Sequence, residues 1–393
     1  MSIFKISERF VIGKIRSIKE GNLKLINYDG KVYHFGDLEN SLSTDIKINN
    51  PKFYFNLILG GSSALGEAHM NKDFYTSNLT SLIELSAKNI NQIYKFSGSL
   101  KLQTIKNFFK NLFASNTKKK SKKYISKHYD LGNKFFSIWL DKTLTYSSAI
   151  YENKDDDLEI AQKNKYQKLI NLLQINEGDK VLEIGCGWGG FSEYLAKRYE
   201  VLVDCITISK KQYEYSKKRI FESGLNNKVK VKFLDYRDLQ DKYDKIASIE
   251  MIEAVGDKYL NDYFKTIKHS LKPNGKAAVQ GIVIKDDLFD RYKNNEDFIQ
   301  KYIFPGGFLP SINLIKRMTK NNDLNLEKIN SYSNDYAKTL LIWRNNFLNA
   351  WDNIAPLGFD DYFKRMWEFY LCYCEAGFKS KNIDLIQFSM SNR

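Results

Sequence analysis

Cysteine is scarce in this chain of 393 residues: there are four, with no signal-like leader, which excludes a disulfide scaffold and predicts a reducing, cytoplasmic setting. Histidine is as scarce, and His34, His69, His128 and His269 are scattered without metal-ligand spacing, so no metal site is predicted. No apolar run approaches the roughly 18 residues that a spanning helix needs. Proline and glycine are sparse, at 5 and 22 residues, and 43% of the chain is hydrophobic, a composition that excludes a disordered chain. Acidic residues are missing altogether between Glu84 and Asp130.

That last gap locates the charge. The net charge is +15, and eleven lysines fall in the gap: Lys88, Lys95, Lys101, Lys106, Lys110, Lys118, Lys119, Lys120, Lys122, Lys123 and Lys127. Lysine offers point charges, not the planar fork with which arginine reads base edges. Nucleic acid is therefore not expected. An anionic membrane surface is, at about 1 kcal/mol per lysine beside it; the plain alternative is a solvated linker. At the start of the chain, Ile3, Phe4, Ile6, Phe10, Val11, Ile15 and Ile18 recur at helical spacing between basic residues. This is an amphipathic helix, either ordinary core or a stripe lying on a membrane.

The length exceeds one domain of roughly 100–200 residues, so two are expected. Residues 23–26 and 31–35, parted by Asn27-Tyr28-Asp29-Gly30, read as a β-hairpin. Asn50-Pro51 opens a helix that Gly60-Gly61 should stop. Residues 79–113 read as mostly helical. The expected organisation is an N-terminal docking domain over 1–114, a basic linker over 115–123 and a second domain over 124–393. There the pattern alternates: helices at 160–173, 191–198, 212–224 and 259–271, strands at 180–184, 201–206, 229–234 and 243–249. Lys272-Pro273-Asn274-Gly275 then separates the last helix from a strand at 276–284. Repeated β-α-β units with short loops predict an α/β fold, a doubly wound and mostly parallel sheet that binds ligands at the carboxyl ends of its strands.

The sharpest local signal is Glu183-Ile184-Gly185-Cys186-Gly187-Trp188-Gly189, directly after the first of those strands. Glycines there let a ligand approach the backbone. Their spacing is G-x-G-x-G rather than the G-x-G-x-x-G of a dinucleotide loop, and Glu183 would repel a pyrophosphate. A ligand carrying ammonium and sulfonium groups suits it better, and S-adenosylmethionine has both.

Further blocks stand in order along the chain: Asn50-Pro51, Leu65-Gly66-Glu67-Ala68, His128-Tyr129-Asp130-Leu131-Gly132-Asn133, Thr145-Tyr146-Ser147, Asp235-Tyr236-Arg237-Asp238, Glu253-Ala254-Val255-Gly256, Phe304-Pro305-Gly306-Gly307 and Tyr336-Ala337-Lys338-Thr339-Leu340. Through them the chain resembles the cyclopropane-fatty-acyl-phospholipid synthase family, which includes the mycolic acid cyclopropane synthases. The resemblance implies a Rossmann-like class I methyltransferase with a small N-terminal α+β domain, S-adenosylmethionine as methyl donor, an unsaturated phospholipid acyl chain as substrate, and a homodimer peripheral to the inner face of the membrane. By motif, Gly185 and Gly187 would line the methionine moiety with Tyr146 and Ser147. Thr207, Ile208 and Gln212 would meet the ribose, and Asp235 and Tyr236 the adenine.

The resemblance also implies the chemistry. The electrophilic methyl adds to a cis double bond, and an alkene is a poor nucleophile, so positioning and desolvation carry much of the rate. Aromatic faces favour the resulting cation. A bound bicarbonate would remove the proton, held by Glu253, Tyr336, the Ile282 backbone and two further positions. At those two the sequence departs: Ser148 replaces the family's Cys and Gln280 its His. Both can donate to an anion, yet the departure leaves open a methyl- or methylene-branched product instead of a ring. Cys374 matches a family cysteine, although the chemistry gives a thiol no obvious task. Glu250, three residues before Glu253, reads either as its partner on a shared helical face or, more simply, as a helix-start charge. Two other classes stay open: an amine N-methyltransferase, since plant alkaloid enzymes resemble the same family, and a binding protein without chemistry.

Overall fold

A computed structural model describes residues 2–37, 39–94 and 131–392. The linker 115–123, most of the lysine-rich gap and His128-Tyr129-Asp130 lie outside the described residues.

The N-terminal part begins with α1 (Ile3–Ile15), capped by the Ser2 hydroxyl. β1 (Asn22–Ile26) and β2 (Val32–Gly36) form the expected hairpin, with Gly30 at φ +83° in the turn. β3 (Ser43–Ile48) pairs parallel to β1, and β4 (Phe74–Tyr75) closes a sheet of order β2-β1-β3-β4. Helices α2 (Lys52–Met70), α3 (Leu79–Lys88) and α4 (Ile90–Tyr94) complete it. The glycine pair does not stop α2, which runs on to Met70. Each glycine costs a helix about 1 kcal/mol, but the second half of α2 buries Ala64, Ala68 and Met70 almost fully, and tertiary packing outweighs the local penalty. Gly66 of this half faces Phe298 and Phe369 so closely that a Cβ would lie 2.4 Å from the Phe298 ring.

The remainder holds α5 (Asn133–Trp139), α6 (Leu158–Leu173), β5 (Lys180–Ile184), α7 (Gly190–Arg198), β6 (Leu202–Thr207), α8 (Lys210–Glu222), β7 (Val229–Phe233), β8 (Tyr243–Ile249), α9 (Ile252–Val255), α10 (Leu260–Ser270), β9 (Leu271–Ile284), α11 (Asp286–Asn294), α12 (Ile312–Asn321), β10 (Leu324–Ser331), α13 (Ser333–Asn349), α14 (Trp351–Ile354), α15 (Asp361–Lys379) and β11 (Ile383–Asn392). The sheet order is β10-β11-β9-β8-β5-β6-β7; β9 through β7 run parallel, and β11 and β10 are antiparallel additions. The expected break at 272–275 proves to be an irregularity inside β9, with Asn274 at φ +61° and the register against β8 shifting there. A bulge absorbs turn residues without ending the strand.

Helices cover both faces, as a doubly wound sheet requires. Leu260, Phe264, Ile267 and Leu314 pack on one side; Leu169, Leu173, Leu195 and Ile220 pack on the other. A third cluster runs from Leu25, Phe53 and Leu82 of the N-terminal part into Phe135, Trp343, Trp367 and Phe369. Among the described residues, the N-terminal elements thus share their core with α13 and α15.

Candidate active site

The carboxyl ends of β5, β6 and β8 open into a cavity of about 1270 Å³ whose far walls are Phe10, Val11 and Ile15 of α1, Leu57 of α2 and Leu82 of α3. Parallel strands place their carboxyl ends at ligand sites because each strand hands over to a loop there.

At the cofactor end, the loop after β5 carries Gly185, Gly187 and Gly189 at φ +82°, +51° and +82°. A Cβ on Gly187 would meet nothing within 4 Å, whereas one on Gly185 would press on Met251 Cγ at 2.8 Å. Thr207 at the end of β6 donates to Gln212 Oε1 at 3.0 Å, and Ile208 lies beside them in the wall. Tyr236 and Asp235 follow β7, the Asp235 carboxylate held by Arg237 at 2.8 and 2.7 Å. Tyr146 bonds the Tyr370 hydroxyl at 2.7 Å, and Ser147 Oγ accepts from the buried Lys165 Nζ at 2.7 Å. Glu183 is turned against the Ser192 hydroxyl, and burial pushes its carboxyl up to about 7. All ten residues expected to contact the cofactor line this one cavity. The room left at Gly187 and the polar set at Thr207, Gln212 and Ser147 fit S-adenosylmethionine.

The same cavity wall carries a polar cluster around Glu250, and its arrangement differs from the expected one. Glu250 carries no helix-start charge: it precedes α9 in a left-handed conformation, φ +48°. Its Oε1 accepts from the Ser148 backbone N–H and from Gln280 Nε2, each at 2.8 Å, and its Oε2 accepts from the Tyr336 hydroxyl at 2.6 Å. These are the positions that the resemblance assigns to bicarbonate. The Ser148 hydroxyl, expected to face an anion, donates instead to the Ala149 carbonyl at 2.9 Å, and Ser148 is not among the residues that line the cavity. The Ile282 N–H donates to Glu253 Oε1, and Glu253 Oε2 is buried without a hydrogen-bond partner among the described residues. Burial, then the charge of Glu250, push the Glu253 carboxyl up to about 8. Burial raises Glu250 too, opposed by Tyr336, Lys165, Gln280 and the Ser148 N–H. Cys374 lines the same cavity, its thiol pushed up by burial and so kept protonated.

Gln280 is fully buried and is itself fixed by Gln387 Nε2, which donates to Gln280 Oε1 at 2.9 Å and to the Lys165 carbonyl at 3.3 Å. Sequence reasoning missed Lys165, Gln387 and Tyr370, and undervalued Glu250. One signal was available for the last: a carboxylate directly after an apolar parallel strand stands where ligands bind.

The family model for mycolic acid cyclopropane synthetase matches residues 116–388. The chain belongs to this family. Cyclopropane-fatty-acyl-phospholipid synthase of Escherichia coli (strain K12) is 36% identical over 90% of this chain and 89% of its own. Tuberculostearic acid methyltransferase UfaA1 of Mycobacterium tuberculosis is 33% identical over 84% of this chain and 79% of its own. The structure of mycolic acid cyclopropane synthase CmaA1 complexed with SAH and CTAB covers 69% of this chain and 98% of its own, with a TM-score of 0.65 at 27% identity. Coclaurine N-methyltransferase covers 84% of this chain and 99% of its own with a TM-score of 0.66; at 17% identity it speaks for the fold alone. The cyclopropane synthase family member described here is a Rossmann-like, S-adenosylmethionine-dependent methyltransferase.

Proposed function

We propose that this methyltransferase alkylates the cis double bond of an unsaturated phospholipid acyl chain at an anionic membrane surface and closes a cyclopropane ring. The observation that carries this reading is the continuity of the cavity, from the glycine loop past Tyr370 and Phe369 to the apolar side chains of α1, α2 and α3. A site for one drug-sized ligand measures roughly 300–1,000 Å³; the 1270 Å³ here accommodates the cofactor together with a long apolar chain. When bound, S-adenosylmethionine supplies an electrophilic methyl. The chain's own part is to hold the alkene beside it, exclude water and offer aromatic faces. Tyr146, Tyr370, Tyr373 and Phe304 line the space between the glycine loop and Glu253, where a cation formed on the acyl chain is favoured by their rings.

Docking rests on α1. Ile3, Ile6 and Phe10 are 55%, 51% and 49% exposed along one side, with Lys5 and Arg9 between them in the chain and Lys14 one turn beyond, and Phe10 also lines the cavity. An apolar stripe flanked by cations binds an anionic interface through both signals. No helix among the described residues is long and apolar enough to cross a membrane. The Ile3→Asp, Ile6→Asp double variant should lose flotation with anionic vesicles and methylate detergent-dispersed lipid normally, since neither side chain lines the cavity; wild-type vesicle binding that ignores salt would remove the charge argument.

A second product is favoured by one observation. Ser148 and Gln280 stand where the family has Cys and His, and a relative at 33% identity is a tuberculostearic acid methyltransferase. A hydride shift onto the cationic carbon before the methyl proton is lost would leave a methylene branch. Expression in a host rich in cis-unsaturated phospholipids separates the readings. A gain of one CH2 per acyl chain with upfield cyclopropane protons establishes the ring, the same gain with terminal =CH2 protons or a saturated methyl branch establishes the branched product, and no lipid gain refutes both.

A further inference from the structure

We propose that the carboxylate of Glu250 is the base of this reaction and stands in the place that the family resemblance gives to bicarbonate. The inference rests on the lipid-methylating reading above.

Three observations converge on Glu250. Its two oxygens take hydrogen bonds from a backbone N–H, an amide and a phenol contributed by residues 148, 280 and 336, a set of donors that matches a planar three-atom anion. Those donors are thereby engaged by a side chain of the protein. The backbone at Glu250 is left-handed, φ +48°, a conformation that disfavours a residue with a Cβ by roughly 1–2 kcal/mol. Its neighbours over-determine it, since the Glu250 N–H donates to the Gln280 carbonyl at 2.8 Å while the side chain is held at both oxygens. Strain held in this way at a cavity wall belongs to functional positions. Third, the cavity wall already contains the second carboxyl of Glu253. A further anion about 4 Å from ionised Glu250 would be repelled by roughly 4 kcal/mol at an effective dielectric of 20; the nearby cation, Lys165, already acts on Glu250 and donates its Nζ proton to Ser147.

The step balances without a further reactant. The π pair of the alkene forms the new bond to the methyl carbon as the carbon–sulfur pair leaves with sulfur. A C–H bond of the new methyl then breaks, its pair forms the third bond of the ring, and Glu250 takes the proton, which passes to water between turnovers. The same carboxylate serves if a hydride first shifts from the methyl-bearing carbon to the cationic carbon; the methyl C–H bond then breaks, its pair forms a C=C bond and the methylene branch results. Burial raises Glu250 towards the range where a carboxylate accepts a proton readily, and its three donors keep an ionised form available.

The test uses the full chain with S-adenosylmethionine and vesicles of cis-unsaturated phosphatidylglycerol. Wild-type turnover should be unchanged in carbon-dioxide-free buffer. Glu250→Gly, which suits the left-handed backbone, should lose on the order of 10²–10⁴ in turnover and regain part of it with added bicarbonate. Wild-type turnover that collapses without carbon dioxide and returns with bicarbonate overturns the proposal, as does a Glu250→Gln variant with full turnover. A direct arm needs no lipid: ¹³C-labelled bicarbonate should show no bound NMR signal with S-adenosylhomocysteine-loaded wild type and should show one with Glu250→Gly. Bound bicarbonate in the wild type refutes the assignment whatever the substrate, whereas absent lipid methylation refutes the functional reading and leaves the NMR result to decide on Glu250.

Discussion

Replacing Tyr336 with Phe removes one atom from the cluster around Glu250 and little else. The Tyr336 ring stacks on Phe378 with centroids 4.5 Å apart and meets Trp343 edge-on at 6.2 Å, contacts that Phe keeps. What is lost is the hydroxyl that donates to Glu250 Oε2 at 2.6 Å. A hydrogen bond to a charged group contributes about 1.5–3 kcal/mol, and one pKa unit corresponds to 1.36 kcal/mol, so the Glu250 carboxyl should rise by about one to two units. The direction follows from which form is stabilised: the phenol favours the ionised carboxylate, so without it the proton is held to higher pH. The groups that face Glu250 otherwise are Lys165 from α6, Glu253 from α9, Tyr370 and Cys374 from α15, Gln280 from β9 and the Ser148 N–H, and Phe alters none of them. The acid limb of kcat/KM, followed through S-adenosylhomocysteine release on phospholipid vesicles, should therefore move upward by that amount while S-adenosylhomocysteine affinity holds. Turnover that falls with the acid limb unmoved would show that Tyr336 shapes the cavity without bonding the base.

Two further outcomes follow from the same geometry. Gly187→Ala places a methyl in the open space of the loop, so calorimetric affinity for S-adenosylhomocysteine should drop at least tenfold while stability falls by only about 1–2 kcal/mol; unchanged affinity would mean that the cofactor does not use this loop. Lys165 is fully buried, and burial pushes its amine from 10.5 down to about 7. Between those values the unfolded chain binds the proton that the folded chain has shed, so this lysine makes stability rise with pH across that window. Lys165→Met should flatten that rise in urea titrations, by a few kcal/mol at most, and should weaken S-adenosylhomocysteine binding through the loss of the Ser147 contact.

The parallel sheet could be read in the sequence because buried parallel strands are short apolar runs between helices, and β5 and β8 fell where those runs lie. The cofactor loop was legible for the same local reason: three glycines directly after a strand. Local signals failed where packing decides. Gly60-Gly61 signals a stop until Gly66, Ala64 and Ala68 dock α2 against the aromatic core, and Pro273-Asn274-Gly275 signals a turn until β8 and β11 hold the strand on both sides. The cluster at Glu250 was the least legible. Its partners come from residues 148, 280 and 336, on a loop, a strand and a helix, and no spacing in the chain relates them. Ser148 and Gln280 could be singled out in the sequence, but not the residue between them: Glu250 supplies the carboxylate that the Ser148 N–H, Gln280 and Tyr336 hold.

The shared core also bears on which part of the chain selects a substrate. Glu67 of α2 accepts from the Tyr302 hydroxyl at 2.8 Å and pairs with Lys301. Thr80 of α3 donates at 2.9 Å to Glu375, which is 1% exposed and pairs with Arg344 at 3.1 Å. Taking away α3 would expose this pair and strip it of the Thr80 hydrogen bond at once. The N-terminal elements are therefore built into the wall of the cavity that ends at Glu250. α1 presents Ile3, Ile6 and Phe10 outward and Val11 and Ile15 to the cavity, so one helix faces both the proposed lipid surface and the space an acyl chain would fill. On the proposed reading, the distance from that helix to Glu250, measured along the chain of a bound lipid, would set which double bond reaches the methyl donor. Substitutions that shorten side chains at Leu57 or Leu82 should change double-bond preference before they change the chemistry, because they alter how far the chain enters and leave Glu250 and its donors untouched.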